Sequence, residues 1–121
     1  TIEIEGETYY QCSEQSELRD DERVHFLPAY DEFIIAFQDK FCLFRKAEYL
    51  PQVAKSGVFY PMIVHRGWII GKWKARLIKE NIVIEYQLFD TTSQPTYAQL
   101  AAGIELYSHF MERSVQLKKL N

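Results

Sequence analysis

Apolar and polar positions change period several times along this 121-residue chain. "TIEIEGETYYQ" alternates β-branched and acidic residues around Glu5-Gly6, which predicts a short hairpin. "SEQSELRDDE" is polar throughout and reads as a connector or short helix. "RVHFL" is a short strand that Pro28 stops, because proline cannot donate to a ladder. Asp31 then stands where its carboxylate can cap a helical turn through "EFIIAFQ". "AEYLPQVAKSG" is ambiguous, since Pro51 argues against an uninterrupted helix.

The second half is more regular. "VFYPMIVHRGWIIGKWKARLI" contains two β-rich runs around Arg66-Gly67, so a strand near 58–65 should pair with one near 68–78. "NIVIEYQLF" adds a strand with Ile82, Ile84, Tyr86 and Leu88 on one face. "SQPTYAQLAAGIELYSHFMERSV" predicts a helix with Pro95 in its first turn. Its apolar stripe runs Tyr97, Leu100, Ala101, Ile104, Tyr107, Phe110 and Met111, of which Leu100, Ile104 and Tyr107 should pack on the sheet. The expected class is α+β, a mainly antiparallel sheet or small barrel-like domain with a long C-terminal helix. Residues 1–121 read as one domain, with no repeat, low-complexity tract or linker.

Composition narrows the class further. Hydrophobic residues make up 47% and aromatics 15%, enough to fill one core from few positions. No apolar run approaches the roughly 20 residues a bilayer demands, so no membrane partner is expected. Cys12 and Cys42 are too few and too far apart for a disulfide framework or a metal motif. They read as reduced, buried thiols of a cytoplasmic protein.

The net charge of −3 makes the whole domain a poor magnet for nucleic acid, but the charge is unevenly spread. Residues 1–32 are acid-rich, whereas "HRGWIIGKWKARLIK" carries Arg66, Lys72, Lys74, Arg76 and Lys79 with no carboxylate. Alternation along a strand projects Lys72, Lys74 and Arg76 together, with Ile69, Trp73, Ala75 and Leu77 on the opposite, core-like face. Strand geometry spaces the three cations roughly 6.5–7 Å apart, a distance comparable with that between successive phosphates. Contact with a nucleic-acid backbone and a solvated strand face that discourages edge pairing both fit this row.

Other chemistry is poorly supported. His25, His65 and His109 have no second ligand at metal spacing, and no H-E-x-x-H, C-x-x-C or G-x-S-x-G occurs. The five glycines form no phosphate loop. Asp31 and Glu32 are sequence neighbours, which do not face each other on a helix, so they do not make an acid/base pair. No cofactor, metal or catalytic residue is expected in this chain.

Two stretches carry a more specific signal. "LPAYDEFIIAFQDK" and "SGVFYPMIVHRGWIIGKWK" resemble the C-terminal part of the bacterial winged-helix DNA-binding family that includes the DNA glycosylases acting on bulky alkylated bases and interstrand crosslinks. That family carries L-P-x-[FY]-D-x-x-L-L-G-[YF]-x-D-R, followed after a variable segment by G-x-x-x-P-x-[VI]-[LV]-x-x-G-x-[VI]-x-G-x-W. The matching residues are Leu27, Pro28, Tyr30, Asp31, Phe37 and Asp39, then Gly57, Pro61, Val64, Gly67, Gly71 and Trp73. Ala36 stands where the pattern has glycine, and Lys40 where it has arginine, keeping the charge without the planar fork.

The resemblance implies that this is the C-terminal domain of a longer protein with winged helices upstream. It also implies that DNA is met through the full-length protein; the basic stretch itself offers Arg66, Lys72, Lys74 and Arg76 as backbone-contact candidates. The family's glycosylases carry a catalytic Gln-x-Gln or Gln-x-Asp tripeptide in the upstream part, and neither tripeptide occurs in this chain. Pro28, Tyr30, Asp31, Asp39, Lys40, Gly57, Pro61, Gly67, Gly71 and Trp73 are then structural motif residues. An auxiliary DNA-binding and scaffolding domain is the leading reading. A winged-helix regulator without glycosylase activity and a stand-alone small-ligand barrel are the alternatives.

Overall fold

A computed structural model describes residues 1–13, 21–90 and 94–120. The chain opens with a hairpin, β1 (Ile2–Ile4) and β2 (Glu7–Tyr9), turning at Glu5-Gly6 with φ of 52° and 83°. Two consecutive residues of positive φ give the turn whose twist matches that of the flanking strands, and glycine takes the second place without a Cβ penalty. The same device recurs at Arg66-Gly67, between β6 (Met62–His65) and β7 (Trp68–Ile78). It also recurs at Ser56-Gly57, between β4 (Ala54–Lys55) and β5 (Val58–Phe59). The run at 58–65 is therefore split in two: β5 pairs back to β4, and only the part after Pro61 pairs with β7. Most of the polar segment at 13–22 lies outside the described residues.

The main sheet has the order β3-β6-β7-β8-β9, with β3 at Val24–Leu27, β8 at Asn81–Leu88 and β9 at Val115–Lys119. Every pairing is antiparallel except β8 with β9. The α+β class holds, but the sheet is open, with β3 and β9 as its edges, rather than closed into a barrel.

Helix α3 (Tyr97–Met111) connects β8 to β9 and covers one face. Thr96 and Gln99 exchange side-chain-to-backbone hydrogen bonds of 3.2 and 2.8 Å, a capping box that starts the helix. Pro95 precedes this cap instead of sitting in the first turn. The helix also stops earlier than the sequence pattern predicts. Glu112 adopts φ 53° and its N–H reaches back to the His109 and Ser108 carbonyls, so the chain leaves the helix and enters the sheet as β9.

Closest approach of α3 to the sheet comes at Gly103, where a Cβ would stand 2.3 Å from the Val24 carbonyl oxygen. The buried stripe is centred there: Leu100 and Ile104 are buried and Tyr107 half-buried. Tyr97 and Phe110, a turn further out at either end, stay in solvent, and Met111 is exposed as well. Among the described residues no helix is long and apolar enough to cross a membrane.

The opposite face of the sheet is covered by the segment between β3 and β6. It contains α1 (Glu32–Ile35), 3₁₀ turns at Phe41–Leu43 and Ala47–Tyr49, and α2 (Leu50–Val53). Ile34, Leu43, Phe44 and Val53 pack there against Met62, Val64 and Ile69. Ile69 belongs to this face because of a bulge: Val64 pairs with Ile69 but Ile63 with Gly71, leaving Ile70 as the extra residue. Strict alternation, which puts Ile69 and Trp73 on one face, therefore fails between them. Ala75 and Leu77 do not form core either; both are exposed.

Candidate nucleic-acid interface

On the sheet face that carries Met62, the covering segment ends and a row of cations takes over. Cross-strand register places Lys72 beside Gln87, Lys74 beside Glu85, and Arg76 beside Val83. On the far side of β8, Glu85 is level with Lys118 and Val83 with Gln116. Residues level across a ladder share a face, so Lys72, Lys74, Arg76 and Lys118 lie on the face that carries Glu85. A groove of about 500 Å³ runs past Lys72, Lys74 and Glu85, bounded by Gln52 and Lys55 on one side and by Tyr60 and Leu120 elsewhere.

Glu85 is buried, with 5% of its surface exposed, and both its oxygens are taken. Arg76 Nη1 donates to Oε1 at 2.7 Å, and Lys74 Nζ lies 3.2 Å from Oε2. Lys72 Nζ donates to Gln52 Oε1 at 3.1 Å. The Arg76 hydrogen bond holds the Glu85 carboxyl below the usual carboxylate range, with Lys74 adding to it, against a burial effect that pushes the other way. A carboxyl whose pKa is lower folded than unfolded stabilises the fold above its unfolded pKa, and that contribution fades as pH falls towards the folded value. Thermal melts of the wild type are therefore expected to lose more between neutral and acid pH than those of Glu85→Gln. Asp21, also held low by Arg23, contributes to both proteins alike. Parallel curves would show that the triad adds no pH-dependent stability.

Three of the four backbone-contact candidates thus converge and Arg66 does not. It lies in the β6–β7 turn, where its Nη2 donates to Glu22 Oε1 at 3.1 Å. Lys55, Glu85 and Lys118 are the charged members of the face that sequence reasoning missed. Glu85 was within reach: with Ile82, Ile84, Tyr86 and Leu88 on one side of a strand, residue 85 must face the other way.

Several motif residues make local contacts that shape the backbone around them. Asp31 Oδ1 accepts the Phe33 N–H at 2.9 Å, capping α1, and Asp39 Oδ1 accepts the Phe41 N–H at 2.9 Å, starting a 3₁₀ turn. Pro28 follows the last residue of β3, and Tyr30, at φ 59°, sets its ring edge-on to Phe59. Lys40 donates to the Phe37 carbonyl and lies 5.6 Å from the Phe59 ring centre. Ala36 ends α1 at φ −64°, a right-handed conformation that needs no glycine. Gly71 is needed for space: a Cβ there would stand 2.4 Å from the Gln87 carbonyl oxygen. The Pro61 carbonyl accepts the Trp73 backbone N–H at 3.3 Å.

Cys12 and Cys42 are exposed, against the expectation of buried thiols. No cluster of three or more His, Cys, Asp or Glu side chains suited to a metal occurs among the described residues.

A family model described as DNA glycosylase AlkZ-like matches residues 1–110. Among solved structures, the Streptomyces sahachiroi DNA glycosylase AlkZ shares the fold, with a TM-score of 0.65 at 14% identity over 82% of this chain. The aligned part is 26% of that enzyme, so this chain spans about a quarter of its length. No curated protein sequence matches the chain. With nearly all of its length matched, the chain belongs to the AlkZ-like DNA glycosylase family.

Proposed function

We propose that this chain is an auxiliary DNA-binding and scaffolding domain of a glycosylase-type DNA-repair protein. The face bearing Lys72, Lys74 and Arg76 meets the phosphate backbone, and base excision belongs to winged-helix domains elsewhere in a longer polypeptide. The observation that carries this reading is a groove lined by Lys55, Lys72 and Lys74 beside the buried Glu85, with Arg76 paired to the same carboxylate. Rows of cations at strand spacing hold a phosphate backbone without reading its bases. The match to the AlkZ-like family supports DNA as the polymer.

Replacing Lys72, Lys74 and Arg76 together by Ser in the full-length protein is expected to weaken binding to every duplex similarly and leave base preference intact. The dependence of log affinity on log salt should flatten by at most about 2.7, from roughly 0.9 per phosphate contact. The 121-residue chain on its own should release no free N3- or N7-alkylated purine. An unchanged salt slope would reduce the row to solvated surface, and base release above buffer background would overturn the division of labour.

A further inference from the structure

We infer that Glu85 sets how many charges the basic face offers to DNA. It subtracts about one phosphate contact from the three that Lys72, Lys74 and Arg76 display. The inference rests on the reading that this face meets DNA.

The geometry is asymmetric. Glu85 is buried in the centre of the face, whereas the side chains of Lys74 and Arg76 are 64% and 57% exposed. An incoming phosphate can therefore reach the unused N–H donors of both cations but cannot take the place of the carboxylate behind them. Each cation keeps its remaining donors, while the carboxylate offsets part of the field it presents. Register sets Lys118 level with Glu85 on the other flank. Like charges at alternate positions of one strand sit on the same face and repel. A carboxylate at the centre makes such a row compatible with a stable ladder, at the cost of electrostatic pull on a polyanion. Counting Lys72, Lys74 and Arg76 alone predicts a contribution of about −2.7 to the salt slope, whereas counting the same three together with Glu85 predicts about −1.8, at roughly −0.9 per net charge.

The test is the salt dependence of duplex binding by the full-length protein, followed by fluorescence anisotropy with one labelled duplex. Glu85→Gln keeps the shape and removes the charge. It should steepen the slope by about 0.9 and tighten binding at moderate salt by roughly two- to fivefold. Gln87→Glu, isosteric and level with Lys72, should do the reverse and flatten the slope by about 0.9. A purely structural role for Glu85 would lower the melting temperature without steepening the slope.

The Lys72, Lys74 and Arg76 triple variant separates the two claims. If it flattens the slope while Glu85→Gln leaves the slope unchanged or shallower, the inference fails and the DNA-facing reading stands. If no variant moves the slope, both fall. Should Glu85→Gln fail to fold, Gln87→Glu decides: a flattened slope supports charge subtraction on this face, and an unchanged slope overturns it.

Discussion

A chain ending at Asp90 is expected to lose cooperative thermal unfolding. The truncation removes α3, which covers one face of the sheet, and β9, one of the sheet's two edge strands. Leu100 and Ile104 are buried there, and burying two such side chains is worth roughly 3–6 kcal/mol. Val115 and Leu117 pack against the same cluster and add to that loss. On the remaining sheet, Ile63, Ile82, Ile84, Tyr86 and Leu88 would be uncovered, and β8 would become an unpaired edge. Domains of this kind are stable by only about 5–15 kcal/mol in total, so the loss consumes a large share of the margin. Circular dichroism should show a broad, non-cooperative melt, accompanied by binding of a hydrophobic dye. A sharp transition at the wild-type temperature would mean that this face is not core.

Much of the fold was legible because its signals are local. Glu5-Gly6 and Arg66-Gly67 predict turns from two residues each, and β8 declares its buried side by strict alternation. Asp31 and Pro28 mark the end of a strand and the start of a helical turn for equally local reasons. What stayed hidden depends on pairing between distant segments. The bulge at Ile70 exists only relative to β6, and it moves Ile69 to the face opposite Trp73. Strand β9 begins at Val115, the last residue of the predicted helix stretch, and the sequence pattern assigns no element to the four residues after it. Only the parallel ladder with β8, and the left-handed turn at Glu112, reveal it.

The candidate site divides along the same line. A row of cations on one strand can be read from alternation, and Lys72, Lys74 and Arg76 do share a face. Their ion pairing cannot be read from that strand, because the partner carboxylate lies on β8 and is fixed by the β7–β8 register. Arg66 shows the converse case. It belongs to the same basic stretch of sequence, yet the turn carries it to Glu22 and away from the row. Charge counted along a chain overstates the field that a folded face presents when a neighbouring strand supplies the counter-charge.

Trp73→Ala is expected to act through stability alone. The indole is half-buried between two rings, edge-on to Phe26 at 5.8 Å and to Tyr107 at 5.6 Å between centroids. Its Nε1–H is shared between the Leu27 carbonyl at 3.0 Å and the Met62 carbonyl at 3.1 Å, residues that pair with one another across β3 and β6. One side chain thus ties three strands to the helix. Truncating a buried Trp to Ala costs roughly 3–5 kcal/mol, and partial exposure places this site towards the lower end. For a domain of this size the melting temperature should fall by roughly 10–15 °C. Trp73→Phe keeps ring contact with Phe26 and Tyr107 but leaves the two carbonyls without their donor, so an intermediate loss of about 1–3 kcal/mol is expected. Trp73 projects from the face opposite Lys72 and Lys74, and the salt slope of DNA binding should be the same in all three proteins at temperatures where they are folded. If Trp73→Ala instead flattened the salt slope while leaving the melting temperature unchanged, the indole would belong to the nucleic-acid interface and the assignment of the two faces would be wrong.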